Sequence, residues 1–85
     1  MSYLWQVTVT VSGIPDTEEL DGLHERILED IPDTWGATCR KDLRQLRIFG
    51  EVRAPNKKEA SGLGLAVVHV LLPGGYVAEV LAERC

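Results

Sequence analysis

The chain has 85 residues and a mass of 9.4 kDa, with 9 Lys and Arg against 13 Asp and Glu and an apolar content of 45%. This is the size of one domain, residues 1–85, and area scaling gives it roughly 5,000 Å² of folded surface against roughly 13,600 Å² unfolded, enough for a single core. The net charge of −4 disfavours general nucleic-acid binding, which needs surplus Lys and Arg to neutralise phosphates, and the apolar fraction excludes a disordered chain.

The longest apolar stretch, Leu63–Leu72, is about half the roughly 20 residues of a membrane span and contains His69. The first seven residues, MSYLWQV, lack the basic start and apolar run of a secretory leader. Cys39 and Cys85 match neither a zinc site nor a disulfide framework, and suit a reducing compartment. The expected protein is therefore cytoplasmic, off the membrane, and without metal or cofactor.

In chain order, the strict alternation from Trp5 to Ser12 puts Trp5, Val7, Val9 and Val11 on one face of a half-buried strand and Gln6, Thr8 and Thr10 on the other. Gly13-Ile14-Pro15 breaks it, and Asp16 with Glu19 three residues on forms a helix start signal, reinforced by Glu18. The period then becomes 3.6. Leu20, Leu23, Ile27 and Ile31 fall within one arc, Glu18, Glu25 and Glu29 point away, and Pro32 ends the helix. Residues 35–40 and 46–53 predict a hairpin turning at Lys41-Asp42. Its second strand carries Leu46, Ile48 and Val52 on one face and Arg47, Phe49, Glu51 and Arg53 on the other. Asn56 with Glu59 opens a second helix that runs to about Leu72 and stops at Pro73-Gly74-Gly75. Residues 76–83 alternate Ala78, Val80 and Ala82 against Glu79, Leu81 and Glu83, a last strand for which a helix is the alternative.

The order βαββαβ is accompanied by a faint repeat at an offset of 40, in which Pro15 matches Pro55, Asp16 matches Asn56, Glu19 matches Glu59, Gly22 matches Gly62, Leu23 matches Leu63 and Ile27 matches Val67. Two such halves with right-handed crossovers predict an α+β fold, a four-stranded antiparallel sheet of order 4-1-3-2 with both helices on one face. Over essentially the whole chain this resembles the ferredoxin-like superfold, a resemblance of topology that implies no particular activity. Cys39 and Cys85 then belong to opposite sheet edges, roughly 14 Å apart at the usual strand spacing, too far to bridge.

Families that share this topology are separated by residues. Acylphosphatases need an arginine in the first strand-to-helix loop, which here reads Ser12-Gly13-Ile14-Pro15-Asp16. Heavy-metal-associated domains need Cys-x-x-Cys there, and the chain has no such pair. RNA-recognition domains set about three stacking aromatics on the open sheet face, where this sequence offers Phe49 among Thr8, Thr10, Arg47 and Glu51. Regulatory ACT-like domains use the first loop to approach a small ligand, and Gly13 to Asp16 imitates it while also meeting ordinary turn and cap chemistry. His24 and His69 fall on different helices, and no nucleophile motif, metal cluster or phosphate-cradling loop is present, so an enzyme is not expected.

Two features exceed a minimal fold. Taking Ala60, Leu63, Val67, Val70 and Leu71 as the sheet-facing arc of the second helix leaves Leu65, Val68 and Leu72 turning outward as a docking flank. Charge is also segregated. From Asp16 to Asp33 there are eight acids and one base, and from Arg40 to Lys58 seven bases and two acids. The leading expectation is a non-enzymatic protein-interaction module that pairs with itself as a homodimer or docks on another protein, through Leu65, Val68 and Leu72 or through the open sheet. The alternatives are weak single-stranded nucleic-acid binding on Thr8, Thr10, Arg40, Arg47, Phe49 and Arg53, and an ACT-like small-ligand role for the first loop.

Overall fold

The structure, a computed structural model, describes residues 1–17, 19–72 and 76–85. Glu18 and the helix stop at Pro73-Gly74-Gly75 lie outside the described residues. The elements are β1 (Tyr3–Ser12), α1 (Leu20–Asp30), β2 (Gly36–Arg40), β3 (Gln45–Ala54), α2 (Lys57–Leu71) and β4 (Val77–Arg84). They make an α+β fold in which the four strands form one antiparallel sheet ordered β2-β3-β1-β4, the succession 4-1-3-2 when read from the β4 edge. The helical alternative for the last segment does not occur.

The alternation in β1 sets the core. Val7, Val9 and Val11 are fully buried and pair with Gly50, Ile48 and Leu46 of β3 on one side and with Ala82, Val80 and Ala78 of β4 on the other. Ala37 and Cys39 of β2 extend the same face beyond Ile48 and Leu46. On this face α1 lays down Leu20, Leu23 and Ile27 as expected, and packs on β2, where His24 Nε2 donates to the Ala37 carbonyl at 3.1 Å. The second helix packs on β1, β3 and β4. Trp5 closes one end of the core, its indole N–H donating to the Ala54 carbonyl at 3.0 Å. Cys39 and Cys85 are free thiols on the two opposite edges.

The arc of α2 differs from the one read in the sequence. Ala60, Gly64, Val68 and Leu72 face the core, with Val68 and Leu72 only 4% exposed, whereas Leu63 is 45% and Val70 80% exposed. Val68 and Leu72 are therefore core residues, and Leu65 is half-buried against the same cluster. The helix is rotated by about a quarter turn from the arc that the largest side chains suggest. The cause is close approach. At Gly64 an added Cβ would lie inside van der Waals contact of Val7 and 3.5 Å from Val9 Cγ2, so the small residues Ala60 and Gly64 let the helix settle onto the strands. The first helix rests on β2, and Leu63 and Val70 of α2 stay open to solvent.

The helix starts also differ between the two halves. Asn56 caps α2 as its spacing predicts, accepting from the Glu59 amide at 2.9 Å. Asp16 does not cap α1, which begins only at Leu20, with Glu19 at the N-cap position and no side-chain cap bond. The reason lies 30 residues away. The guanidinium of Arg44 donates from Nε to the Ile14 carbonyl at 3.0 Å and from a terminal nitrogen to the Pro15 carbonyl at 2.6 Å, and sits 3.4 Å from the Asp16 carboxylate. This clasp, together with the burial of Ile14 and the positive φ of Gly13 (70°), commits the segment to a loop.

Arg44 itself has φ 47°, a left-handed conformation unfavourable for a residue with a Cβ. Removing the clasp by Arg44→Ala is expected to cost about 2 kcal/mol, from charged hydrogen bonds to two carbonyls. Arg44→Gly loses the same bonds but relieves the backbone, and is expected to cost about 1 kcal/mol less. Urea unfolding followed by circular dichroism measures both; equal losses would mean that the turn feels no left-handed strain.

Candidate functional site

Among the described residues, none forms a layer over the opposite face of the sheet. Its residues fall into rows set by register. Thr38, Arg47, Thr10 and Glu79 make one row, Gly36, Phe49, Thr8 and Leu81 the next, and Glu51, Gln6 and Glu83 a third. Arg53 pairs with Leu4 beyond them, and Arg40 with Gln45 at the other end. Short threonines on β1 between longer side chains on β3 and β4 leave a shallow depression along the middle of the face, lined by Thr8, Thr10, Arg47, Glu79 and Leu81. The apolar members of β4 are open to solvent, Val77 at 62% and Leu81 at 53%.

All six residues of the expected nucleic-acid face, Thr8, Thr10, Arg40, Arg47, Phe49 and Arg53, lie on this side of the sheet, but its charge is mixed. Glu51, Glu79 and Glu83 are set among the arginines, and like-signed surplus toward phosphate is lacking. Phe49 does not stand up as a stacking platform. Its ring leans over β2, where a Cβ on Gly36 would meet Phe49 Cε2 at 2.6 Å. An aromatic laid across a cross-strand glycine shields backbone that no side chain covers.

Lys41 and Arg44 join the basic pole read in the sequence to the acidic one, and Arg40 is neutralised within its own segment. Arg40 forks onto Asp42 with bonds of 3.1 and 2.9 Å, Lys41 reaches Asp21 of α1 at 2.9 Å, and Arg44 holds Asp16. The hydrogen bond from Arg40 holds the Asp42 carboxyl below its ordinary range and raises the guanidinium in turn, and the bond to Asp21 raises the Lys41 ammonium. With its folded value depressed, Asp42 supports the turn at neutral pH and releases it only as pH falls below the usual Asp range. These pairs occupy the bases nearest α1 and leave Arg47 and Arg53 as the open-face cations.

Of the expected helix interface, Val68 and Leu72 are withdrawn into the core and Leu65 partly so. The apolar surface left outside is a shallow groove lined by Pro32, Val67, Val70 and Leu71, with Asp30 at its rim. Among the described residues no group of three His, Cys, Asp or Glu is placed to hold a metal ion, and no helix is long and apolar enough to cross a membrane. Alternation places Glu79, Leu81 and Glu83 on a common face of the last strand, and nothing in the sequence joins that face to the site. Only register shows that Glu79 shares a row with Arg47 and Leu81 with Phe49.

Comparison with protein-family models, with curated proteins and with solved structures finds no match.

Proposed function

We propose that the chain is a ferredoxin-like, non-enzymatic interaction module that docks on protein through the open face of its sheet. The observation that carries this reading is the composition of that face: exposed Val77 and Leu81, with Leu4 and Phe49, interleaved in register with acids and bases of both signs. A face meant only for water would carry charge without the apolar rows, and a face for phosphate would carry one sign. The first loop, whose Ile14 and Pro15 carbonyls are engaged by Arg44, gives an ACT-like ligand role no comparable support.

The test is capture of binding proteins by the immobilised chain, comparing surfaces by substitution. Thr8→Glu with Leu81→Glu is expected to abolish capture, and Val70→Glu, on the helical side, to leave it intact. Capture that survives the first change and fails with the second would transfer the function to the helices. Labelled single-stranded nucleic acid is expected to show no salt-sensitive binding, and such binding lost on Arg47→Glu would replace this proposal.

A further inference from the structure

Resting on the reading of the open face as a docking surface, we infer that its occupant is a second copy of the same chain, the two sheets packed face to face about a two-fold axis that runs along the strands between β1 and β3. The middle of the ordered sheet β2-β3-β1-β4 lies between β3 and β1. Among two-fold axes that run along the strands, this is the placement in which all four strands of each copy are overlaid. It sets β3 of one copy over β1 of the other, and β2 over β4.

Charge divides along that same line. Strands β2 and β3 present Arg47 and Arg53, Arg40 being held by Asp42, against a single acid, Glu51, while β1 and β4 present Glu79 and Glu83 and no base on this face. The two-fold therefore lays Arg47 of each sheet beside Glu79 of the other, and does so twice, with Glu51 beside Glu83 as the like-charged contact left in the overlay. An isologous interface must be complementary to itself in this way. Any axis that placed β4 on β4 would instead bring Glu79 and Glu83 together.

Shape follows the same registry. Arg47 stands on β3 at the edge of the depression that the threonines of β1 leave. In the overlay, Arg47 enters the depression of the second copy above Thr10 and beside Glu79. Leu81 of the second copy lies over Gly36, where no side chain projects and the Phe49 ring supplies an apolar floor. The face spans about 19 Å across four strands and about 27 Å along eight residues at ordinary strand spacings. That projected footprint is about 500 Å², below the roughly 800 Å² per partner of a standard stable interface, and sets the dimer in the weaker, concentration-dependent class.

The experiment is sedimentation equilibrium on the intact chain from micromolar to millimolar concentration. The wild type is expected to form a dimer that stops at two copies. Arg47→Glu and Glu79→Arg alone should each weaken it at least tenfold, and the double variant, which restores opposite signs across the axis, should recover affinity to within about threefold. Both substitutions are on the surface, and retained thermal melts show that a loss is not unfolding. A wild type that stays monomeric throughout overturns the second copy as occupant, while the docking face is judged separately by the Thr8 and Leu81 capture variants. A dimer indifferent to Arg47→Glu and broken by Val70→Glu overturns both. Rescue of Arg47→Glu by Glu51→Arg, and not by Glu79→Arg, would overturn the arrangement by turning the axis across the strands.

Discussion

Replacing Gly64 by alanine is expected to destabilise the protein by about 2 kcal/mol, although alanine is the better helix former by about 1 kcal/mol. The residue lies in the interior of α2, buried, at the point where the helix comes down on β1. The added methyl group would meet Val7 Cγ1 well inside contact distance, with Val7 Cβ and Val9 Cγ2 each 3.5 Å away. Both valines are fully buried and stiff at χ1, so neither gives way cheaply, and the helix must lift from the sheet. Gly62, two residues earlier, has nothing within 4 Å of the same added carbon. Gly62→Ala is expected to move stability in the opposite direction, by up to about 1 kcal/mol, through propensity alone. Urea unfolding of the pair by circular dichroism decides the matter, and in a Val7→Ala background the penalty at Gly64 should shrink because the two sites share one volume. Two glycines of one helix responding with the same sign would dismiss the close approach.

The same contact explains which parts of the fold were legible in the sequence. Strand faces were read correctly because period-two alternation assigns a side chain to a face whatever its partner is, so Val7, Val9 and Val11, and Leu46 and Ile48, needed no knowledge of neighbours. The α2 arc differs from the sequence pattern because hydrophobic size does not mark burial there: the buried arc of a helix at close approach is marked by its smallest residues. The repeat at an offset of 40 reinforced the error by equating Leu23, which is buried, with Leu63, which is 45% exposed. The start of α1 was misplaced for a different reason. Asp16 has the right spacing for a cap, and what overrides it is Arg44, a contact between loops that no local pattern contains.

The candidate site was legible to the same extent. Alternation placed Arg47, Phe49 and Arg53 on the open face, and Glu79, Leu81 and Glu83 on one face of the last strand, but the two sets are 26 or more positions apart in sequence. Their relation is created by β1, which pairs with both strands and brings Thr10 opposite Arg47 on one side and Glu79 on the other. A sheet face that is basic along β3 alone is bipolar once β4 is beside it. That change moves the functional reading from phosphate toward protein, because a bipolar face is complementary to another bipolar face and not to a polyanion.

Trp35→Ala is expected to produce a larger loss, about 3 kcal/mol. The residue lies between the end of α1 and β2, its amide donating to the Pro32 carbonyl at 2.9 Å, and its indole packs against the core on the helical side of the sheet. The ring lies directly on Gly50 of β3, where an added Cβ would fall within contact distance of three ring atoms. Gly50 pairs with Val7, so the indole stands in for the side chain that the sheet lacks there and keeps a central strand from exposing bare backbone. Gly50→Ala is expected to cost about 2 kcal/mol by displacing the ring. The decisive variant is the double one. With the indole gone, an alanine at position 50 enters the vacated space, so Trp35→Ala with Gly50→Ala should be no less stable than Trp35→Ala alone, a coupling of about 2 kcal/mol of opposite sign to the single loss. Urea unfolding supplies the energies, and the emission of the Gly50→Ala variant in a Trp5→Phe background should shift to the red as the indole is pushed toward water. Additive losses without a shift would place the ring elsewhere, and with it the packing that seats the α1 to β2 connection on the sheet.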